Sequence, residues 1–291
     1  MNWKDWQIKK LTLGDPGFPR NLTKIKNPPK QIYFRGNFEE RVLDKSIAIV
    51  GSRQVTAYGR EVIDHFVSLF VTDGVTTISG FMYGVDTQVH KKTVEFGGVT
   101  IAIFGCGVNI CYPVENNNLY TEILEKGGAV ISEYPPDSKP QLWKYPQRNR
   151  LVAGLASLGV LVIEAGEKSG SLITADFARR QGKKVFAVPG PVTSKVSSGT
   201  NTLLKKRRAI LVTDPSDILR TKTVRGKSKI PNDLSDIETK IYKALEFEPL
   251  STDEIALAIS GSVVEVSKNV SVMALRGYIT EALGKFHLVR S

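Results

Sequence analysis

Short apolar runs alternate with amphipathic stretches through the middle of the chain, and this alternation predicts repeated strand–helix–strand units in a mostly parallel sheet. The apolar runs place strands over 46–50, 76–79, 99–104, 129–132, 159–164, 185–188 and 210–213. Between them Val62, Phe66 and Leu69 recur at i, i+4 and i+7, and Leu119 and Ile123 at i, i+4, which is helical spacing. Leu172, Ala175 and Ala178 present a small-residue face suited to lying close on a sheet. The expected architecture is α/β, a Rossmann-like doubly wound sheet.

The pattern changes after Leu219. The stretch 221–229 is polar, basic and without periodicity, and reads as a linker. Beyond it Ile237, Ile241, Ala244 and Leu245 predict one helix. Ile255, Ala258 and Ile259 predict a second, capped by Ser251 or Thr252 with Asp253 and Glu254 in its first turn. Val266, Val270 and Met273 predict a third, and 278–289 a two-stranded wing. Three short helices and a hairpin make a small winged-helix domain. The expected domains are an N-terminal lead-in segment over 1–45 that packs on the next domain, a Rossmann-like domain over 46–220, a basic linker over 221–232 and the winged helix over 233–291.

Composition narrows the function. Nowhere does an apolar run approach the ~20 residues of a membrane helix, and the first residues do not read as a leader, so a cytoplasmic protein is expected. Cys106 and Cys111 have no companion Cys/His pair, and His65, His90 and His287 are scattered, so neither a disulfide framework nor a metal site is expected. The net charge is +11, unevenly spread. From Lys205 to Lys229 nine basic residues face two acidic ones, whereas 233–291 carries a net −3. An anionic partner therefore belongs upstream of the C-terminal unit.

In an open parallel sheet the strand-to-helix turns share one edge, where ligands bind. Those turns contain Gly51-Ser52-Arg53, Ser79-Gly80 with Gly84, Gly105-Cys106-Gly107, Gly166 with Ser169-Gly170-Ser171, and Pro189-Gly190. Glycines allow close backbone approach, and amides at helix starts favour phosphate oxygens, so the turns together predict a broad anion cradle. A dinucleotide fingerprint and a P-loop are both absent, and no cofactor is expected. Arg148-Asn149-Arg150, preceded by Tyr145, adds two guanidinium groups able to fork onto phosphates and a ring for a base. The competing reading is a solvated helix start capped by Asn149. Arg53, at the mouth of a glycine turn, has little core to support. Asp86 and Glu164 read as loop-orienting carboxylates, because no histidine or metal set completes an active site around them.

From about Gln31 to Leu219 the ordered blocks resemble the DprA/Smf DNA-processing family. They are Ala48 to Arg53 with Tyr58-Gly59, Ser79-Gly80 with Gly84-Val85-Asp86 and His90, Tyr112-Pro113 with Asn116, and Ser132 to Pro136. They continue with Pro146 to Arg150, Glu164-Ala165, Ser169 to Thr174, Ala187 to Gly190 and Gly199 to Asn201. The resemblance implies a non-enzymatic homodimer that binds single-stranded DNA and helps load the RecA recombinase onto it. It also implies DNA contact by the Gly-Ser-Arg turn. The candidate DNA-binding set is Gly51, Ser52, Arg53, Gly80, Tyr83, Gly107, Asn116, Arg148, Asn149, Arg150, Ser169, Gly170, Ser171 and Thr174. Val114 and Tyr83 stand where the family pattern is usually basic, and Lys205-Lys206-Arg207-Arg208 where it usually turns on a glycine. The alternative is a phosphoribohydrolase-like enzyme or nucleotide sensor using the same cradle, and a third reading is transcriptional regulation through the winged helix.

Overall fold

The computed structural model describes residues 2–219, 231, 233–246, 249–282 and 284–288. The chain divides into two compact units, Met1–Thr221 and Lys222–Ser291. Apart from Pro231, the expected linker lies outside the described residues.

The first unit starts with β1 (Lys9–Thr12), α1 (Arg20–Thr23), β2 (Gln31–Gly36), β3 (Ser46–Val50), α2 (Ala57–Thr72), β4 (Thr76–Ser79) and α3 (Val85–Glu95). It continues with β5 (Thr100–Ile103), α4 (Asn117–Glu125), β6 (Ala129–Ser132), α5 (Lys144–Leu155), β7 (Gly159–Val162), α6 (Gly170–Arg180), β8 (Val185–Ala187), α7 (Ser198–Lys205), β9 (Ile210–Leu211) and α8 (Ser216–Leu219). Nine strands form one sheet in the order β1-β2-β6-β5-β4-β3-β7-β8-β9. From β6 through β9 all neighbours are parallel. The order reverses at β3, the switch point of a doubly wound fold.

The strand period of two sorts the core. Ile47, Ile49, Leu161, Ile163 and Phe186 pack on one side with Ile63, Phe66, Val67 and Phe70 of α2. Ala48, Val50, Val160 and Val162 face the other side, with Leu151 and Val152 of α5 and Ala175 and Ala178 of α6. The buried stripe of α2 is shifted by one position from the expected one, leaving Val62 and Leu69 only half-buried. Adjacent apolar pairs, Val62-Ile63 and Phe66-Val67, allow either phase, and the sheet selects the one that buries both phenylalanines.

Two strands were not expected. β2 pairs antiparallel with β6 and β1 antiparallel with β2, so the first residues extend the sheet instead of merely covering it. Arg35 of β2 is buried and donates to the Trp6 carbonyl (2.8 Å), the Val108 carbonyl (2.7 Å) and Asn109 Oδ1 (2.7 Å). Trp3 stacks on Tyr120 of α4 with ring centroids 4.5 Å apart.

The second unit holds α9 (Asp236–Leu245), α10 (Thr252–Ile259), α11 (Val263–Leu275) and the antiparallel hairpin β10 (Ile279–Ala282) and β11 (Lys285–Leu288). Ser235 and Ser251 each close a capping box, with Glu238 and Glu254 returning the bond to the cap amide. Ile241, Leu245, Ile255, Val266, Val270, Met273 and Ile279 form its core. Among the described residues no single helix is long and apolar enough to cross a membrane.

Candidate nucleic-acid interface

Parallel pairing brings the loops after β3, β4, β5, β7 and β8 to one edge, and close contacts lock them together. A Cβ on Gly84, whose φ is +74°, would lie 2.2 Å from the Ser52 carbonyl oxygen and 2.5 Å from that of Arg53. Glycine is therefore needed there for both backbone angle and space. A Cβ on Gly51 would meet Val85 at 2.5 Å, and the Val85 amide donates to the Ser52 carbonyl at 3.0 Å. The Gly-Ser-Arg turn thus lies across the start of α3 and occupies its first amide.

Glu164 orients the far side of that turn. Its carboxylate, 1% exposed, accepts from Thr56 Oγ1 at 2.5 Å and from the Thr56 amide at 3.0 Å. Thr56 in turn caps α2. What the turn leaves outward is Arg53, exposed and without a hydrogen bond or ion pair among the described residues. The backbone amides of Ser52 and Arg53 likewise have no partner among those residues.

Beneath the turn sits a buried charge. Arg148, 3% exposed, donates to the Gly80 carbonyl at 2.5 Å and also to the Ile103 carbonyl, tying the ends of β4 and β5. A Cβ on Gly80 would fall 2.6 Å from both Arg148 Nη2 and Asp86 Oδ2. Burial pushes the Asp86 carboxyl up and the facing Arg148 pulls it back; burial also lowers Arg148, opposed by Asp86. Arg150, 7% exposed, pairs with Glu133 through both terminal guanidinium nitrogens, at 2.7 and 2.5 Å, and donates from Nε to the Asn27 carbonyl.

These positions correct two expectations. Arg148 and Arg150 do not extend into solvent, because α5 begins at Lys144 and carries both side chains into the protein. Nor is Asn149 a cap: it lies inside α5, accepts from Arg148 Nε (3.2 Å) and donates to the Gly170 carbonyl at the start of α6 (3.3 Å). Asn116 is also buried, donating to Thr87 Oγ1 at 2.8 Å, and so are Thr174, Ser171 and Gly80. Gly107 packs against the Pro135 and Pro136 carbonyls, and its amide donates to Ser138. Ser169 caps α6, with its hydroxyl 2.7 Å from that of Ser171, and Gly170 is exposed.

Aromatic rings, some exposed and some half-buried, lie in the loops of this edge. Tyr83 is 43% exposed and donates to Glu115 Oε2 at 3.1 Å. Tyr112 is exposed, 6.1 Å from the Tyr145 ring, which packs on Gly105 at the end of β5. Trp143, exposed, meets Tyr134 edge-on at 6.1 Å, and Lys144 lies 4.9 Å over Tyr134. Trp143 escaped the sequence reading because a lone aromatic carries no signal until its exposure is known. Cys106 and Cys111 are unpaired, and burial pushes their thiols up to about 11 and about 12.

Fold and site together define a Rossmann-like α/β protein whose strand-end edge offers an exposed arginine and two amides that have no hydrogen-bond partner among the described residues, with aromatic rings in the neighbouring loops. Residues 9–223 match the family model for DNA recombination-mediator protein A. The chain is 40% identical to protein Smf of Escherichia coli over 69% of its own length and 53% of that protein's, so it spans about half of this relative. It is 35% identical to DNA processing protein DprA of Bacillus subtilis over 70% of its length and 68% of the relative's. The solved DprA structure from Streptococcus pneumoniae superposes with a TM-score of 0.68 at 33% identity, covering 75% of each chain. The Helicobacter pylori DprA structure, described for its single-stranded DNA binding mode, gives 0.65 at 28% identity, covering 75% of this chain and 95% of that one. The chain belongs to the DNA recombination-mediator protein A family, the DprA/Smf proteins.

Proposed function

We propose that the strand-end edge binds single-stranded DNA without cutting it, and that the protein acts in DNA processing as a homodimer that helps load the RecA recombinase in the cytoplasm. The observation that supports this most is the Ser52-Arg53 turn, with an exposed guanidinium and two unbonded amides beside Tyr83, Tyr112 and Tyr145. Phosphates would engage Arg53 and the amides while bases stack on the rings, an arrangement tolerant of sequence. The exposed or half-buried candidates Ser52, Arg53, Tyr83, Asn149, Ser169 and Gly170 are read as contacts. The buried candidates Gly80, Gly107, Asn116, Arg148, Arg150, Ser171 and Thr174, together with half-buried Gly51, hold the loops in place.

A hydrolytic role for the cradle finds little support, since Glu164 is committed to Thr56 and Asp86 to the Met82 amide and the charge of Arg148. The C-terminal unit is read as a winged helix that meets protein rather than duplex DNA. Exposed positions of α11 include Val264, Val272 and Leu275, and its basic residue is Lys268.

The test is a salt titration of oligonucleotide binding. Arg53→Ala is expected to weaken single-strand affinity at low salt and to flatten the log K against log salt slope by roughly 0.7 per phosphate contact removed. Unchanged affinity and slope would reject the assignment.

A further inference from the structure

The corner of the strand-end edge between the loops after β4 and β5 carries an acid where phosphate would be expected. Tyr83 comes one residue before Gly84, the glycine pressed against the Ser52 and Arg53 carbonyls, so its backbone is anchored next to the Gly-Ser-Arg turn. The Tyr83 hydroxyl donates to Glu115 Oε2 at 3.1 Å. That bond raises the Tyr83 phenol above its ordinary value, and nearby Tyr112 adds to the shift. Glu115 lies in the short 3-10 turn Val114–Asn116 that precedes α4. Asn116 fixes this turn from beneath, its side-chain amide donating to Thr87 Oγ1 (2.8 Å) and to the Phe81 carbonyl (3.4 Å). The two loops are thereby joined, and the carboxylate is held between them. Glu115 is exposed, pairs with no cation among the described residues, and has no hydrogen-bond partner there for Oε1.

A carboxylate at this spot repels phosphate, so it does not serve the DNA backbone. Its surroundings suit bases instead, since Tyr83, Tyr112 and Val114 are all exposed. Stacking on rings is sequence-tolerant, because every base has a π-face. A carboxylate beside the rings is not. It accepts hydrogen bonds and donates none, so it sorts bases by the donors on their Watson–Crick edges. Guanine presents two adjacent donors, N1–H and the N2 amino group, to match two carboxylate oxygens. Cytosine and adenine present an amino group beside a ring nitrogen that accepts. Thymine flanks its lone N3–H with two carbonyl oxygens. In a duplex these edges are already paired, and only an unpaired strand offers them.

We propose that Glu115, steadied by the Tyr83 hydroxyl, reads the Watson–Crick edge of an unpaired guanine at this corner, giving an otherwise sequence-tolerant interface a preference at one position. Oε1 takes one donor, and Oε2 keeps a lone pair for the other beside the tyrosine bond. The inference rests on the single-strand reading above.

The experiment measures binding of the full chain to thymine oligonucleotides of about 16 nucleotides, long enough for the site to find its register. Each carries a single central dG, dC, dA or deoxyinosine, which lacks the N2 amino group, and an all-thymine strand is the reference. The guanine strand should bind roughly fivefold more tightly than the reference, the low end for a two-bond pair of side chain and base, with deoxyinosine between them. Glu115→Ala should abolish that difference. The ratio of two affinities is read on one protein sample, so any loss of folded material cancels. Tyr83→Phe keeps the ring but releases the carboxylate, and should lower the ratio without abolishing it. Equal affinity of the unaltered protein for the guanine and all-thymine strands overturns the proposal, as does a guanine preference that survives Glu115→Ala. A gain on every strand in Glu115→Ala with the ratio intact also overturns it, leaving Glu115 as a repeller of phosphate alone. If Arg53→Ala leaves all strands bound as before, the single-strand reading itself fails. If Arg53→Ala weakens all of them while the unaltered protein shows no guanine preference, only the base reading fails.

Discussion

Arg148 shows how one buried side chain can organise a surface it never reaches. Its guanidinium ties the ends of β4 and β5 and faces Asp86, while Asn149 beside it reaches α6. Arg148→Met should destabilise the protein by on the order of 3 kcal/mol, because a buried carboxyl loses its counter-charge and two carbonyls lose a donor. Urea unfolding at pH 7 measures it. His90 sets a pH limit: burial lowers its imidazole to about 3, so the native ring stays neutral while the unfolded ring takes up a proton below about 6.5. The folded pKa lies below the unfolded one, so this group's contribution is present above pH 6.5 and is lost as pH falls towards 3. Between pH 7 and 5 the loss is about 2 kcal/mol, and His90→Gln should remove most of that difference in urea midpoints. The sequence singled out Arg148 and Arg150 as guanidinium groups for phosphates, whereas the structure buries both. Residue type announces charge, whereas the helix start at Lys144 that turns Arg148 and Arg150 inward has neither an apolar period nor a side-chain cap.

At the scale of elements, legibility followed burial. Six of the seven parallel strands, β3 to β8, were readable because strands covered on both faces become continuous apolar runs, as Ser46–Val50 is, whereas β9 is apolar but exposed. β1 was not, since Lys9–Thr12 is largely exposed and reads as polar chain; its lysines lie over Phe34 and Tyr33 of β2. β2 alternates buried Ile32 and Phe34 with half-buried neighbours, but buried Arg35 breaks the pattern. The three C-terminal helices were legible because caps and apolar spacing agree. Ser251→Ala removes one side of a capping box and should cost about 1 kcal/mol, seen as faster hydrogen exchange at Ile255 and its neighbours in α10.

For the whole molecule, two compact units with separate cores imply separable work. A chain ending at Leu219 retains every strand of the large sheet and the Ser52-Arg53 turn. It should keep its single-strand affinity and salt slope in a gel-shift titration, and a marked loss would mean that the second unit takes part in binding. The antiparallel ribbon at the sheet's other flank bears on synthesis. Strand β2 must wait for β6, roughly a hundred residues later in the chain and on the order of ten seconds of ribosome travel. Until then Ile32 and Phe34 have no sheet to join, so the nascent protein trails a greasy leading segment that a holdase would be well placed to shelter.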